Sequence, residues 1–239
     1  MLRGHSPVKR VAILQSNYVP WKGYFDLIAS VDEFVIYDEV QFTKNDWRNR
    51  NRIKGPNGVS WLSIPVGPDI NRRILDVQLP PGNWAAKHWL TIQSNYGRAR
   101  HFKPMAARLE PFFIRQLPQS LSEWNRLLIE EICDILGITT RITTSEAYTL
   151  EGDRSARLAA ICAQAGADCY LSGPSAKSYL DQEAFSARGI RVEWFSYAGY
   201  PRYSQLWGEF EHAVSILDLL FNCGAEAANY MLFNLRTKN

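Results

Sequence analysis

Short apolar runs alternate with amphipathic segments along most of this 239-residue chain. Residues 11–15 and 33–38 are rich in Val and Ile and are bounded by polar or turn-forming residues, which is typical of short buried strands. Between them, apolar side chains over 21–30 recur every three or four positions, as on one face of a helix. The pattern predicts a βαβ unit with a right-handed crossover near the start of the chain.

Two further apolar segments predict a β-hairpin. WLSIPV at 61–66 and ILDVQL at 74–79 are strand candidates, and the turn-rich GPDINRR separates them. Pro65 indicates that the first candidate lies at a sheet edge or ends there. We therefore expect an appended hairpin within about residues 55–82.

A helical segment is predicted over about residues 84–137. Its helices are expected at 84–96, 101–116 and 121–136. The third has the clearest boundaries, because Ser120 and Glu123 have capping-box spacing and Gly137 follows the last apolar residue. We interpret this segment as a helical insertion that serves mostly as scaffold.

The C-terminal part of the chain returns to alternating strands and helices. Strands are predicted at 138–146, 168–172 and 191–195, and helices at 155–165, 179–188 and 214–220. With the opening βαβ unit, this alternation favours an α/β fold with an open, mostly parallel, Rossmann-like sheet. We expect residues 1–239 to form a single α/β domain that carries the hairpin and the helical insertion.

The overall composition is that of a folded, mildly basic protein. Apolar residues make up 46% and charged residues 21%, so composition favours neither a disordered nor a membrane protein. A formal net charge of +3 indicates nucleic-acid binding only if the cations are concentrated in one patch. VAIL after the basic start is too short for a signal peptide, and no run reaches the about 18 residues of a membrane helix. We therefore expect a cytoplasmic protein without a membrane partner.

The cysteines lie far apart among apolar residues and show no CxxC spacing. This pattern predicts buried, reduced thiols and indicates neither disulfides nor a zinc site. They are Cys133, Cys162, Cys169 and Cys223. No Ser/His/Asp or Cys/His catalytic arrangement is evident either, and because no metal-ligand spacing is evident, we expect no metal site.

Four cations recur at every second position in the segment WRNRNRIK. They are Arg48, Arg50, Arg52 and Lys54. In an extended segment they would share one face, and arginine forks suit phosphate or carboxylate groups. A solvated charged face is the alternative. The ligand-binding interpretation gains weight because the segment follows a buried strand that ends at Asp38, where α/β folds place ligands.

Several residues near these cations are candidates for catalysis or for orienting a ligand. Asp38 could coordinate Mg²⁺, hold a ribose hydroxyl or act as a base, or it could pair with an arginine. Gln41 and Asn49 are neutral and suit paired hydrogen bonds to a ligand. His88 could be a general base, with a hydrogen-bonded core histidine as the alternative.

The first loop contains residues that could frame a pocket. Gln15 ends a predicted strand, Tyr18 follows it, and Gly23 lies near a helix start where backbone N–H groups attract phosphate. The alternative is that the loop is structural, with Pro20 and Trp21 fixing the turn and packing. Neither a P-loop nor a G-x-G-x-x-G motif is present, so no known phosphate motif supports this loop.

Two later segments provide further candidates. Ser172, Gly173 and Lys177 follow a predicted buried strand and could form an anion-binding nest, whereas a Gly-Pro turn with a surface lysine is the alternative. Tyr203 and Gln205 lie in an aromatic and polar loop that could close over a ligand or only pack.

Several long phrases of the sequence resemble the WbqC-like family of bacterial proteins. They are QSNYVPWKGYF, DEFVIYDEVQF, WRNRNRIK, WLSIPV, GADCYLSGPSAKSYLD and SILDLLFNCG, and they span nearly the whole chain. Ser16 departs from the family pattern, which usually has Pro after the Gln. The resemblance implies a role in gene clusters for O-antigen, other surface polysaccharides or natural products, with transfer of aminoacyl or acyl groups to amino sugars.

A fold-level similarity links the chain to pantothenate synthetase and other adenylate-forming relatives of class I aminoacyl-tRNA synthetases. It rests on the Pro/Gly loop after the first strand and on VQF followed by arginines. It implies a nucleotidyltransferase-like (HUP-like) form of the sheet. The HxGH signature of those enzymes is replaced by PWKGYF, which puts histidine-assisted binding of a triphosphate in doubt.

The family resemblance and the alternating cations together predict an enzyme that forms an amide on the amine of a nucleotide-linked sugar. The cations would hold a diphosphate or an activated carboxyl group, and His88 or Asp38 would take the amine proton. Gln15, Asp38, Gln41 and Asn49 would orient the substrates. The acyl donor stays open between an ATP-derived adenylate, a carrier-protein thioester and an aminoacyl-tRNA.

Three other functions remain open from the sequence. The first is a non-catalytic module that binds a nucleotide sugar or tRNA through the same cations. The second is an ATP-dependent, adenylate-forming ligase that resembles pantothenate synthetase. The third is a structural partner in a polysaccharide-synthesis complex, which exposed Trp and Tyr clusters would indicate.

Overall fold

The computed structural model describes residues 8–236. The strands are β1 (Arg10–Leu14), β2 (Glu33–Ile36), β3 (Arg50–Gly55), β4 (Gly58–Ser63), β5 (Arg141–Thr144), β6 (Cys169–Ser172) and β7 (Arg191–Trp194). The helices are α1 (Lys22–Ala29), α2 (Trp84–Tyr96), α3 (Phe102–Ile114), α4 (Leu121–Leu136), α5 (Arg154–Gln164), α6 (Glu183–Ser186), α7 (Ile216–Cys223) and α8 (Leu232–Arg236). Short 3₁₀ turns lie at Ile74–Asp76, Ser145–Ala147, Pro174–Ser178 and Gly224–Tyr230.

The chain divides into two compact units. The sheet unit consists of the described parts of Met1–Leu14, Leu27–Tyr37 and Thr140–Ala198. The hairpin unit consists of Gln15–Asp26, Asp38–Thr139 and the described part of Gly199–Asn239. The chain passes between the two units several times. The single-domain organisation expected from the sequence stays a prediction.

The sheet unit contains one five-stranded sheet in the order β5-β2-β1-β6-β7, in which all neighbours are parallel. Counted along the chain, the strands follow the order third, second, first, fourth, fifth, which is the order of a doubly wound sheet. β2 and β6 are buried along their whole length, as parallel strands covered on both faces should be. The predicted open, parallel α/β sheet is confirmed.

The small hairpin pairs different strands from those predicted. β3 and β4 are antiparallel, from Arg50 opposite Ser63 to Gly55 opposite Gly58. Two turn residues, Pro56 and Asn57, join them, and Gly58 has a φ of +97° that suits glycine. The predicted strand at 74–79 is wrong, because that segment begins with a 3₁₀ turn and its backbone N–H groups bond to residues 38 and 40.

The helical segment agrees with the sequence pattern. α2, α3 and α4 lie within two residues of their predicted bounds. At the start of α4 the Ser120 hydroxyl accepts a hydrogen bond from the Glu123 N–H at 3.2 Å, and Gly137 ends the helix with a φ of +70°. Trp124 of α4 is buried, lies stacked with Tyr18 at 5.3 Å between ring centroids and meets other aromatic rings edge-on. This aromatic core fixes the first loop of the hairpin unit against α4.

Other predictions differ in extent from the structure or agree with it. The helix predicted at 179–188 is only the four residues of α6. The cysteines are buried thiols, and burial raises the pKa of Cys133 to about 12. Over residues 8–236 no helix is both long and apolar enough to cross a membrane.

Candidate functional site

The hairpin unit contains a pocket of about 280 Å³. Its walls are mostly apolar, with two indole rings and two carboxamides, and the lining residues are Asn17, Trp21, Trp47, Asn51 and Ala213. A mostly apolar cavity with a few polar groups is the usual form of a small-molecule site. The pocket is therefore the starting point for the candidate site.

Asn51 holds the loop that forms one side of this pocket. Its side-chain Nδ2 donates hydrogen bonds to the backbone carbonyls of Tyr18 and Val19, each at 3.1 Å. The Ser215 hydroxyl donates to the same Val19 carbonyl at 2.7 Å. Val19 needs this support because its φ of +35° is unfavourable for a β-branched residue. Backbone strain of this kind is concentrated at functional sites, which supports a pre-organised pocket loop.

Gly23 makes room for the Trp21 indole. A Cβ atom on Gly23 would lie 2.2 Å from the Trp21 ring, far inside contact distance. Any larger residue would therefore displace an indole that lines the pocket. The sequence prediction assigned Gly23 a close backbone approach to phosphate, and the structure instead places it beneath the pocket wall.

Three of the four alternating cations lie on one face of β3, as the sequence indicated, whereas Arg48 lies in the turn before the strand. In the hairpin register Arg50, Arg52 and Lys54 lie opposite Ser63, Trp61 and Val59, so these six residues share a face. Ile53 and Leu62 point to the other side and are buried. The buried face attaches the hairpin to the unit, and the cationic face is left for other contacts.

A segment near the C-terminus contacts two of the three cations of this face. Lys54 is buried, and its Nζ donates to the Gln205 side chain at 2.7 Å and to the Glu209 carbonyl. Arg52 lies 3.9 Å from the Glu211 carboxylate. In the described part of the chain the Arg50 guanidinium has no carboxylate partner, and it lies over the Trp61 ring at 4.0 Å. Arg50 is thus the cation of this face that is left for an external anion.

Arg48 connects the first loop to the pocket. Its guanidinium donates hydrogen bonds at 3.1 Å to the side chains of Asn17 and Gln15, and it lies 3.7 Å from the Asp46 carboxylate. Asn17 lines the pocket, so Arg48 orients one of the pocket carboxamides. Gln15 is brought to Arg48 as a structural partner. The structure therefore joins two of the sequence candidates, Arg48 and Gln15, with the pocket residue Asn17 in one network around the first loop.

Asp38 is a buried hydrogen-bond acceptor. Its Oδ1 accepts from the Ser16 backbone N–H at 2.8 Å, and its Oδ2 accepts from the Ser122 hydroxyl at 2.5 Å. Burial raises the pKa of Asp38, although these bonds and the charge of Arg48 act in the opposite direction. With both oxygens occupied by the chain, Asp38 anchors the first loop to α4.

His88 is held in the core by both ring nitrogens. Its Nε2 lies 3.0 Å from the Ser63 carbonyl, which can only accept, so Nε2 carries the proton. Its Nδ1 then accepts from the Tyr18 hydroxyl at 2.9 Å. Burial lowers the pKa of His88 to about 4, so the ring is neutral near pH 7. This arrangement favours the core-histidine alternative over a general base.

Gln41 and Asn49 contact the backbone that follows the hairpin. Gln41 is exposed, and its Nε2 donates to the Ile70 carbonyl at 3.2 Å. Asn49 is buried, and its Nδ2 donates to the Ile64 carbonyl at 3.1 Å. Both side chains fix the 64–70 segment, and neither lines the pocket that the structure shows.

Tyr203 and Gln205 meet at a buried carboxylate that the sequence prediction missed. Oδ1 of Asp218 accepts at 2.8 Å from the Tyr203 hydroxyl and from the Gln205 side chain. Burial raises the pKa of Asp218 and also that of Tyr203. Asp218 could not be recognised in advance because it lies within the apolar helix sequence SILDLLFN. Its role is to hold the segment that covers Lys54.

Lys22 is a second missed residue. Its Nζ is buried without a hydrogen-bond partner in the described chain and lies 4.8 Å from the Tyr200 ring centroid and 5.1 Å from that of Tyr203. Burial lowers the pKa of Lys22 to about 8, against the opposing charges of Asp26 and Asp218. Aromatic rings stabilise a buried ammonium group through cation–π interactions. Only the position of Lys22 beside Trp21 in the sequence connects it to the pocket.

The remaining sequence candidates belong to the sheet unit. Ser172 ends β6 and is buried, and Gly173 has an extended backbone with a φ of −69° before the 3₁₀ turn. The Lys177 Nζ lies 5.6 Å from the Trp194 ring centroid. Ser172, Gly173 and Lys177 therefore belong to a different unit from the pocket. Among residues 8–236, no three His, Cys, Asp or Glu side chains are grouped so as to hold a metal ion.

The fold and pocket define an α/β protein with a doubly wound parallel sheet and a hairpin-bearing unit that carries a tryptophan-lined cavity. The model of the WbqC-like protein family matches residues 15–230, and the chain belongs to this family. The chain is 50% identical over 228 residues to the uncharacterized protein Rv1507c of Mycobacterium tuberculosis (strain ATCC 25618 / H37Rv). The matched residues make up 95% of this chain and 99% of that relative. No solved structure gives a significant match.

Proposed function

We propose that the protein forms an amide by transferring an acyl or aminoacyl group to the amine of a phosphorylated or nucleotide-linked sugar bound in the hairpin-unit pocket. The observation that carries the proposal is the pocket between Trp21 and Trp47, which lies on the strand-loop segment that also bears the arginines. The proposed acceptor combines a ring, polar substituents and phosphate, and the site offers a matching group for each.

The pocket walls suit a sugar ring. Indole rings offer rigid apolar faces against which the C–H face of a pyranose can pack, while their amphipathic character tolerates the nearby hydroxyls. The carboxamides of Asn17 and Asn51 can donate and accept hydrogen bonds. Asn51 already uses its side chain to hold the loop, so Asn17 is the better candidate for contact with a hydroxyl or amine.

The phosphate of the acceptor would bind Arg50. This guanidinium is the cation of the β3 face that the chain leaves without a carboxylate partner in the described residues. A planar arginine fork binds phosphate oxygens bidentately and holds the ligand in one orientation. Arg48 and Arg52 contribute positive potential, although Asp46 and Glu211 partly offset it.

The reaction would be nucleophilic acyl substitution. The sugar amine attacks the carbonyl carbon of the donor, the bond from that carbon to the donor's leaving group breaks, and the amine nitrogen loses a proton. The contribution of the chain would be to hold the amine and the donor carbonyl at attack distance and to stabilise negative charge. Because Asp38 and His88 are occupied in the core, we assign them structural roles and leave the proton to solvent or to the leaving group.

Incubation with nucleotide-linked amino sugars tests the proposal. Three donor classes should be supplied separately: ATP with a free acid, an acyl thioester and an aminoacyl-tRNA. Product is detected by mass spectrometry, and pyrophosphate release identifies the ATP-dependent, adenylate-forming route. Trp47→Ala should reduce product formation, and Arg50→Ala should reduce it by roughly 10- to 150-fold if it removes one charge-assisted hydrogen bond.

Val59→Ala is the matched control, because Val59 lies exposed on the same hairpin face, does not line the pocket and pairs with Lys54 rather than with Arg50. It should retain full product formation. Absence of product with every donor and acceptor, together with no thermal stabilisation by any nucleotide sugar, would refute the proposal.

A non-catalytic binding module is the second candidate, and one observation favours it. Both residues that the sequence offered as proton acceptors are buried in hydrogen bonds to the chain. Such a module would bind nucleotide sugars without converting them. If tRNA were its ligand, binding should weaken steeply with salt. Tight binding of a nucleotide sugar without turnover in the three-donor assay would select this candidate.

A further inference from the structure

Two exposed tryptophans lie together on the open half of the hairpin face. Trp61 of β4 is 47% exposed and Trp47 is 43% exposed, and their ring centroids are 5.6 Å apart. The Arg50 guanidinium lies 4.0 Å from the Trp61 ring centroid. Tryptophan is highly buried on average, so two exposed neighbouring indoles with an arginine stacked on one of them indicate a binding surface.

The hairpin packs into its unit through the opposite face. That face buries Asn51, Ile53 and Leu62 in the unit. On the cationic face, the segment with Gln205, Glu209 and Glu211 contacts Lys54 and Arg52. At the other end the Trp47 and Trp61 rings stay exposed, and Arg50 is half-buried beside them.

The size of the pocket shows what this exposed end could bind. A cavity of about 280 Å³ is slightly below the usual range for a whole drug-sized ligand, roughly 300–1,000 Å³. It suits one sugar ring, so the nucleoside part of a nucleotide-linked sugar has to lie outside it. Trp47 lines the pocket and also contacts Trp61, so it connects the cavity directly to the exposed rings.

We propose that Trp47, Trp61 and Arg50 form a stacking platform for the nucleobase of the ligand, with Arg50 also contacting its phosphate. This inference rests on the proposed function, since it assigns the nucleoside part of the same substrate. Every nucleobase has a planar face that stacks on indole and guanidinium groups, and such stacking tolerates different bases. The platform therefore provides affinity for nucleotides in general.

Direct binding of nucleoside diphosphates tests the platform without any acyl donor. By calorimetry, a nucleoside diphosphate should bind the full chain more tightly than inorganic pyrophosphate, because only the former can stack. Trp61→Ala should lower the affinity for the nucleoside diphosphate by roughly 5- to 150-fold and leave the affinity for pyrophosphate unchanged. Trp61→Phe should restore most of the affinity, and Val59→Ala on the same strand and face should behave as wild type.

Equal affinity for pyrophosphate and nucleoside diphosphate, or equal effects of Trp61→Ala and Val59→Ala, would overturn the platform. A short single-stranded RNA is compared with the mononucleotide to identify the source of the base. If the RNA binds tightly, the mononucleotide does not, and Trp61→Ala abolishes the binding of the RNA, the platform is supported and its ligand is an RNA-borne donor. Acylated product from an acceptor that binds wild type and Trp61→Ala with equal affinity would refute the platform and leave the proposed function intact.

Discussion

The hydroxyl of Ser122 donates a hydrogen bond of 2.5 Å to Oδ2 of Asp38, and both residues are buried. The other oxygen of the same carboxylate accepts from the backbone N–H of Ser16. A carboxylate at the end of a strand in an α/β protein suggests a ligand or a catalytic base. Here it joins the first loop of the hairpin unit to the first turn of α4.

Removing this carboxylate should cost stability. Asp38→Ala leaves the Ser16 N–H and the Ser122 hydroxyl buried without an acceptor, and each such loss costs about 1–3 kcal/mol. We expect the free energy of unfolding in urea to fall by about 2–4 kcal/mol, and Ser122→Ala to cause a smaller loss. Asp76→Ala, which removes an exposed carboxylate, is the control and should have little effect. Unchanged stability in Asp38→Ala with complete loss of turnover would contradict the structural role.

Protonation of His88 should lower the stability of the fold at acid pH. Its pKa is about 4 in the folded chain and about 6.5 when unfolded, so the unfolded chain binds more protons between these values. Stability is therefore lost as the pH falls from 6.5 to 4, by on the order of 3 kcal/mol for the full shift. His88→Phe should be less stable than wild type at pH 7 and lack this part of the acid loss. An NMR titration that gives His88 a pKa near 6.5 would contradict this account.

Lys22 should give a pH dependence of the same sign at alkaline pH. Burial lowers its pKa to about 8 in the folded chain, below the ordinary 10.5, so the unfolded chain binds more protons between pH 8 and 10.5. The contribution of this residue to stability should increase across that window by on the order of 3 kcal/mol. Urea unfolding at pH 7.5 and pH 10 should show this increment in wild type relative to Lys22→Met. An identical pH dependence in the two proteins would show that Lys22 titrates normally.

Glu211 should tune anion affinity at the cationic face. Its carboxylate lies 3.9 Å from Arg52 and offsets part of the positive potential there. Glu211→Gln should bind nucleoside diphosphate roughly 1.5- to 5-fold more tightly, an effect that diminishes with salt. Glu131→Gln, which removes a carboxylate paired with Arg108, is the matched control and should leave the affinity unchanged. Unchanged binding in Glu211→Gln would place the ligand away from the Arg52 end of the face, and weaker binding would contradict the role of Glu211 in offsetting positive potential.

Local patterns in the sequence predicted most of the secondary structure. The apolar strands β1, β2 and β6, and the capped helix α4, follow from periodicity and end signals that depend on neighbouring residues only. The hairpin was misassigned because its turn, Pro56 and Asn57, directly follows the cationic segment, whereas ILDVQL satisfies apolar spacing without pairing as a strand. The arginines form a strand here, in the extended conformation that their alternation suggested, whereas the predicted hairpin was placed on the apolar segments at 61–66 and 74–79.

The candidate site depended on contacts between residues far apart in the chain. The sequence placed Arg48, Arg50, Arg52 and Lys54 on one extended face, but it could not show which cations the chain would neutralise. The Glu209 backbone carbonyl and the Glu211 carboxylate lie about 155 residues further along, and only folding brings them to Lys54 and Arg52, where Glu211 alone offsets a charge. For the same reason Asp38 and His88 looked reactive in the sequence and have their polar atoms occupied in the structure.

The sequence by itself therefore determined the family, most of the strands and helices outside the hairpin, and the alternate spacing of the cations. Those properties depend on residue type and spacing along the chain. Only the tertiary structure decided that Arg50 keeps its charge available, that Trp47 and Trp61 lie side by side, and that Gly23 makes room for a pocket wall. Whether a charge is neutralised, a ring exposed or a cavity formed is a property of neighbours in space, and distant segments supply those neighbours.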